Sequence, residues 1–300
     1  MFVVGAFALT VWLFGPRAVA VLEARMRTDQ ATSPPVTLDR VGYVNCPAWL
    51  DRPLLLAVSA ALSPWLADEV PILDEDLARR LRDGIATVPW VAAARLERVF
   101  PDRFRIELDL RQPVLAVRSA DGEPLCLLDR EGTMLPWVDT PLPATYLYRE
   151  GGGRPSMTVV AGQIAPDPRA CAAAAIAVEW RDELAPLVAN CPPLLEVDAT
   201  NFDERWARGP SYPEIRVKLG RHDGQPVVFF YGRPVGSRRD RVPVRTKATV
   251  LGRILALHPG LDGLVAGDLR LQNRWQEYLQ PRESGTSDPL GPWADLPQPR

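Results

Sequence analysis

Histidine is nearly missing from this chain of 300 residues: His222 and His258 are the only two. Cysteine is scarce as well, and Cys46, Cys126, Cys171 and Cys191 include no CxxC pair. That leaves little material for an ordinary zinc site. No serine lies in a GxSxG elbow and no GxxxxGK[ST] loop occurs, which removes two common signatures of hydrolysis and nucleotide binding. Charge of one sign is lacking too. With 35 basic and 37 acidic residues the net charge is −2 and the pI about 5.9, unlike the basic footprint of a nucleic-acid binder.

What polar chemistry remains has structural explanations. His222 stands in the turn GRHDGQ, and His258 precedes Pro259-Gly260 at a helix end, where a cation suits the dipole. Glu179, Asp182 and Glu183 read as the solvated side of a helix, and Arg238-Arg239-Asp240-Arg241 with Arg233 and Arg245 as a charged loop. The glycines at 151–153 read as a flexible loop. Nothing here predicts an enzyme, a cofactor or a metal.

Proline and apolar residues are what the chain does have. Its 31 prolines are about twice the usual share of roughly 5% and argue against a helical bundle. Residues 2–14, FVVGAFALTVWLF, are apolar except Thr10; extended to Leu22 the run reaches about 31 Å as a helix, enough to cross a hydrocarbon core of about 30 Å. A membrane anchor over 1–22 is the expectation. A cleaved signal peptide with Ala18-Val19-Ala20 at its exit and a buried helix are the alternatives. Arg17, Arg25 and Arg27 all follow the run, which weakens a positive-inside assignment; a basic cytoplasmic tail upstream of Met1 is one way to reconcile it. In either exported case the thiols can oxidise, and Cys171 and Cys191, flanking one predicted helix, could bridge. Cys126 in PLCLLD reads as a buried thiol.

Residues 23–35 are polar, end in Pro-Pro and read as a linker. A β-prone run over 36–44 follows, then helices over 54–66 and 74–88. The second has Asp74 as its cap, a stripe of Leu77, Leu81, Ile85 and Val88, and Pro89 as its stop. A hairpin turns at Pro101-Asp102. Its return strand places Phe104, Ile106, Leu108 and Leu110 on one face and Arg105, Glu107, Asp109 and Arg111 on the other. Strand, helix, helix, strand, strand is a compact α+β unit, assigned to 36–118. A mixed, mainly antiparallel β domain with two helices is assigned to 119–280. Its strands are expected at 125–129, within 154–162, and at 194–198, 214–219, 227–231, 264–271 and 274–279, and its helices over 169–188 and 245–257. The strand at 227–231, VVFFY, is apolar on both faces, so it should be packed on both sides. Residues 281–300 read as a disordered tail.

Several stretches resemble one family. Pro89-Trp90-Val91, Phe100-Pro101-Asp102, Arg111-Gln112-Pro113-Val114-Leu115-Ala116, then Asp129-Arg130-Glu131-Gly132 with Leu135-Pro136, follow the order found in the bacterial cell-division proteins FtsQ and DivIB. The helix with Lys247 and the later Gly267-Asp268-Leu269-Arg270 are similar to the far end of that family, so the resemblance covers about residues 36–280. It departs at Leu115, an extra residue, and at the glycine-rich stretch near 150–154. The resemblance implies a membrane helix, a POTRA domain (β-α-α-β-β) and a β domain, outside the cytoplasmic membrane and at the division septum. It implies a non-enzymatic divisome scaffold without cofactor, holding FtsB/DivIC-like and FtsL-like partners. Strand addition suits such a role, and the expected edge is RWQEYL: Arg274, Trp275, Gln276, Glu277, Tyr278 and Leu279, flanked by Asp268 and Arg270. Trp275 and Tyr278 would be its anchors. The alternative is a POTRA-containing component of an export or outer-membrane assembly machinery, disfavoured because no barrel-length run of strands follows.

Overall fold

The structure is a computed structural model describing 37–44, 50–66, 76–99, 103–139, 144–148, 158–204, 212–237 and 240–281, with 20, 21, 24, 25, 48, 74 and 142 besides. The anchor, linker and tail expected at 1–22, 23–35 and 281–300 fall almost wholly outside those residues. Among the described residues no helix is long and apolar enough to cross a membrane. The chain is a mixed α+β protein dividing into two compact units between Arg111 and Gln112.

The first unit runs β1 (Thr37–Val44), α1 (Asp51–Leu66), α2 (Leu77–Ala86), β2 (Val91–Val99) and β3 (Arg103–Leu110). Its sheet has the order β1-β3-β2, β1 parallel and β2 antiparallel to the central strand. The alternation in β3 is realised: Phe104, Ile106, Leu108 and Leu110 are buried while Arg105, Glu107 and Asp109 are exposed. Leu50, Leu54, Val58 and Leu62 form the buried stripe of α1, at the four-residue spacing of one helix face. Leu77, Leu81 and Ile85 do the same for α2. The carboxylate of Asp74 accepts from the backbone N–H of Asp76 and Leu77, so it serves two donors that a helix start leaves open. At Gly84 an added Cβ would lie 3.0 Å from the Ala61 carbonyl; glycine is what lets α2 approach α1 so closely.

The second unit is built on a sheet of nine strands, in the order β12-β11-β10-β9-β8-β7-β4-β5-β6. The strands are β4 (Pro113–Ser119), β5 (Pro124–Asp129), β6 (Met134–Leu135), β7 (Thr145–Tyr148), β8 (Leu194–Asp198), β9 (Ile215–Gly220), β10 (Pro226–Gly232), β11 (Leu264–Asp268) and β12 (Gln280–Pro281). Most neighbours are antiparallel, but β4/β7, β7/β8 and β10/β11 are parallel. Parallel neighbours need a crossover. The two helices supply two of them: α3 (Pro168–Glu179) joins β7 to β8, and α4 (Val244–Leu257) joins β10 to β11. Val117, Leu128, Tyr146, Val197, Val217, Phe229 and Tyr231 share one core with Ala173, Ile176, Val250, Leu251 and Ile254 of the helices. The alternate residues of β8 and β9 make cross-strand ion pairs, Lys218 with Glu196 at 2.7 Å and Arg216 with Asp198 at 3.1 Å. As its composition predicts, β10 is buried on both faces, with only Pro226 and Phe230 partly exposed.

Five expectations need correction. The expected domain boundary at 118 lies beyond β4, which pairs with β5 and β7 and so belongs to the second sheet; the signal is that 113–117 are all buried, whereas β3 alternates. The helix expected over 169–188 is α-helical only to Glu179, then winds as a π turn, Trp180–Leu184, and a 3-10 turn, Ala185–Leu187. Pro186 has no N–H for the ladder and its ring crowds the carbonyl of Asp182, so a regular helix cannot continue. The strand expected within 154–162 is absent from the described part, where 161 and 162 form a turn. The strand expected over 264–271 stops at Asp268. Cys126 is buried, its thiol pushed up to about 12 by burial, and Cys171 and Cys191 are free thiols rather than a bridge.

Candidate interaction site

A sheet of nine strands has two margins, and they differ. At the β6 margin, Met134 N–H donates to the Gln163 carbonyl, Gly162 N–H to the Met134 carbonyl and Ala165 N–H to the Gly132 carbonyl. Those bonds cover β6 with an irregular segment. At the opposite margin β12 consists of two exposed residues, registered as Leu264↔Pro281 and Ala266↔Gln280. Among the described residues nothing pairs with its outer side. Among the described residues this is the open margin of the sheet.

The residues expected to form the edge stand close to it, in a different conformation. Residues 274–279 were expected as the final strand; instead Trp275–Tyr278 is a 3-10 turn and the last strand is the short β12 after it. The reason is in the spacing. Trp275 and Tyr278 are three apart, as are the ion-paired Arg274 and Glu277 (Nε to Oε2, 3.0 Å), and three residues make one turn of a 3-10 helix. As a strand, the same residues would lie on opposite faces. Trp275 is 7% exposed and part of the core, whereas Tyr278 is 46% exposed. Gln276 and Glu277 are exposed and Leu279 is half-buried.

Asp268 and Arg270 are spent on each other. The Asp268 carboxylate, 2% exposed, accepts from the Arg270 backbone N–H at 2.8 Å and from its Nε and Nη2 at 2.9 and 2.7 Å. The guanidinium lies 5.3 Å from the centre of the Phe230 ring, a cation–π geometry. The pair anchors the end of β11 instead of presenting a charge to solvent. Between them, Leu269 is fully buried.

β11 reaches the margin through a glycine. Gly267 is in register with Phe229 of β10, and a Cβ there would lie 2.5 Å from Phe229 Cε1 and 3.2 Å from Leu279 Cδ2. The Phe229 ring is fully buried, so it has no free space to swing into. Gly267→Ala should cost about 1–3 kcal/mol by overpacking, read from the urea midpoint of the full chain. An unchanged midpoint would show that the ring can move aside.

A second constellation was not anticipated. Glu179, expected on a solvated face, is 3% exposed. It accepts hydrogen bonds from Arg241 Nη2 and from the Tyr231 hydroxyl, and Lys247 Nζ lies 3.6 Å from its Oε1. Burial pulls the Glu179 carboxyl up, but the Arg241 and Tyr231 hydrogen bonds and the Lys247 charge outweigh it and hold the group below its ordinary range. Four parts of the unit meet here: the end of α3, β10, the loop before α4, and α4 itself. The cluster ties these four parts to one another through a single buried carboxylate.

The other residues weighed for chemistry have structural work. Asp129 is buried and accepts the N–H of Glu131 and Thr133, closing the turn on which Gly132 takes a positive φ. His222 is exposed in its turn, and His258 terminates α4. Among the described residues no group of three or more His, Cys, Asp and Glu is placed to hold a metal. No family model matches the chain, and no curated protein does either.

Proposed function

We propose that this chain is a non-enzymatic scaffold that binds a partner polypeptide by strand addition at the β12 margin. The observation that carries it is the asymmetry of the large sheet, one end closed by backbone bonds from 162–165 and the other ending in two exposed residues. Unpaired strand groups are a template for another strand, and Tyr278 beside them offers an exposed aromatic anchor. The finer reading follows the resemblance to FtsQ and DivIB. The first unit, with its β-α-α-β-β order, is proposed as a POTRA domain and the second as the β domain of that family. On that reading the chain sits in the cytoplasmic membrane through residues 1–22, faces outward at the septum, and holds FtsB/DivIC-like and FtsL-like proteins.

The anchor set narrows in consequence. Trp275, Asp268, Arg270 and Leu269 support the margin from within, while Tyr278, Gln276, Glu277 and Gln280 are available to a partner. Tyr278→Ala in the full chain should weaken binding of the purified FtsB/FtsL-like pair about 10- to 30-fold, the range of an interface anchor, with the melting temperature unchanged. Wild-type affinity in that variant would remove Tyr278 from the site; insertion of a proline pair after Gln280 with no loss would remove the margin itself.

A further inference from the structure

The chain has two lysines against 33 arginines, and one of the two is in its interior. The Lys247 side chain is 0% exposed. Its Nζ lies 3.5 Å from the centre of the Tyr231 ring and, among the described residues, has no acceptor within hydrogen-bond distance. An ammonium carries three donors and is strongly hydrated in water; burial strips that hydration and disfavours the charge, while the Glu179 carboxylate at 3.6 Å and the face of the Tyr231 ring act the other way. Among the described residues the anion in reach is Glu179, already engaged by Arg241 and Tyr231. One carboxylate thus faces two cations when Lys247 is protonated and one when it is not. Arginine does not give up its proton in a protein; lysine can.

We propose that Lys247 is a proton-operated latch on α4: as the free amine it seats the helix against Glu179 and Tyr231, and taking up a proton loosens that seat. Burial, with the Arg241 charge acting the same way and Glu179 opposing, lowers its pKa from 10.5 to about 7. Unseated and hydrated, Lys247 binds its proton with ordinary lysine affinity. Seating is therefore strongest above about 10.5, weakens as the pH falls from there to about 7, and levels off below, where both states hold the proton. The neighbours do not titrate across that window in the opposite sense. Glu179 is held ionised, and burial together with Glu179 and Glu183 keeps the Tyr231 phenol protonated. His258 ends the same helix about 16 Å away at 1.5 Å per residue. Because α4 is the crossover into β11, a loosened α4 softens the open end of the sheet, whether or not a partner binds there.

The full chain with ¹³C,¹⁵N-labelled lysine gives signals from Lys218 and Lys247 alone, and the Lys218→Arg variant leaves one. That signal should change from amine to ammonium between pH 8 and pH 6. Amide exchange in α4, corrected for intrinsic rates, should quicken at least tenfold between pH 9 and pH 7, and Lys247→Met should abolish that dependence. An ammonium signal throughout pH 6 to 9 would overturn the latch, as would the same pH dependence of exchange in Lys247→Met. If Lys247→Met does not fold, the lysine titration decides by itself. None of these readouts involves a partner, so they stand apart from the test of the margin.

Discussion

Replacing Glu179 by alanine should lower the unfolding free energy by about 3–5 kcal/mol, the cost of stripping one member from a buried ion pair. Glu179 accepts from both Arg241 Nη2 and the Tyr231 hydroxyl, and its Oε1 lies 3.6 Å from Lys247 Nζ. Its loss leaves a guanidinium partly buried and a phenol donor buried with nothing to receive it, while Lys247 is driven further toward the neutral amine. Glu179→Gln separates shape from charge: it keeps an oxygen for Tyr231 and fills the same space, so its cost should be smaller than that of alanine. Chemical denaturation of the full chain at pH 8, followed by circular dichroism, measures both. Equal stability of the alanine variant and the wild type would mean that the cluster is a solvated surface after all.

Trp275→Ala should be the second large effect, again about 3–5 kcal/mol, because truncating a packed aromatic removes its burial and leaves a cavity. Trp275 is 7% exposed and joins the core from a 3-10 turn that lies between β11 and β12. Emptying its place undercuts both strands of the margin. Tyr278→Ala, three residues on and 46% exposed, should stay within about 0.5 kcal/mol of wild type, as exposed positions usually do. The contrast matters for the proposed function. Lost binding in Trp275→Ala would report a damaged margin, whereas lost binding in Tyr278→Ala would report a missing contact. Urea midpoints of the two variants, taken beside their partner affinities, distinguish these outcomes; similar midpoints would place both aromatics on the surface.

Sequence patterns were most legible where one face is buried and the other wet. The alternation of 104–110 identified β3, and the four-residue spacing of Leu77, Leu81 and Ile85 identified α2, because burial selects those periods locally. VVFFY announced a central strand for the same reason. The pattern fails where both faces are alike. In α3 the run PRACAAAAIAVE sets alanine on every side, so nothing marks Glu179 as inward-facing. β7, Thr145–Tyr148, is four residues long and is held by parallel neighbours far away in the chain, β4 and β8; no local signal distinguishes it from a loop. RWQEYL carries aromatic residues that favour a strand, yet its three-residue spacing fits a 3-10 turn, and that choice was made by the pocket receiving Trp275.

The amino-acid order by itself determined that this is a mixed α+β chain, with a β-α-α-β-β unit ahead of a second unit rich in strands. Local periodicity, capping at Asp74 and the stop at Pro89 encode those features within a few residues. Only the tertiary structure decided which margin of the large sheet stays open, which aromatic faces solvent, and that Lys247 shares its anion with Arg241. Those outcomes depend on contacts between distant segments, about 30 residues apart where 162–165 cover β6 and 50 to 70 apart where Glu179 meets Tyr231, Arg241 and Lys247, and no window of neighbouring residues contains them.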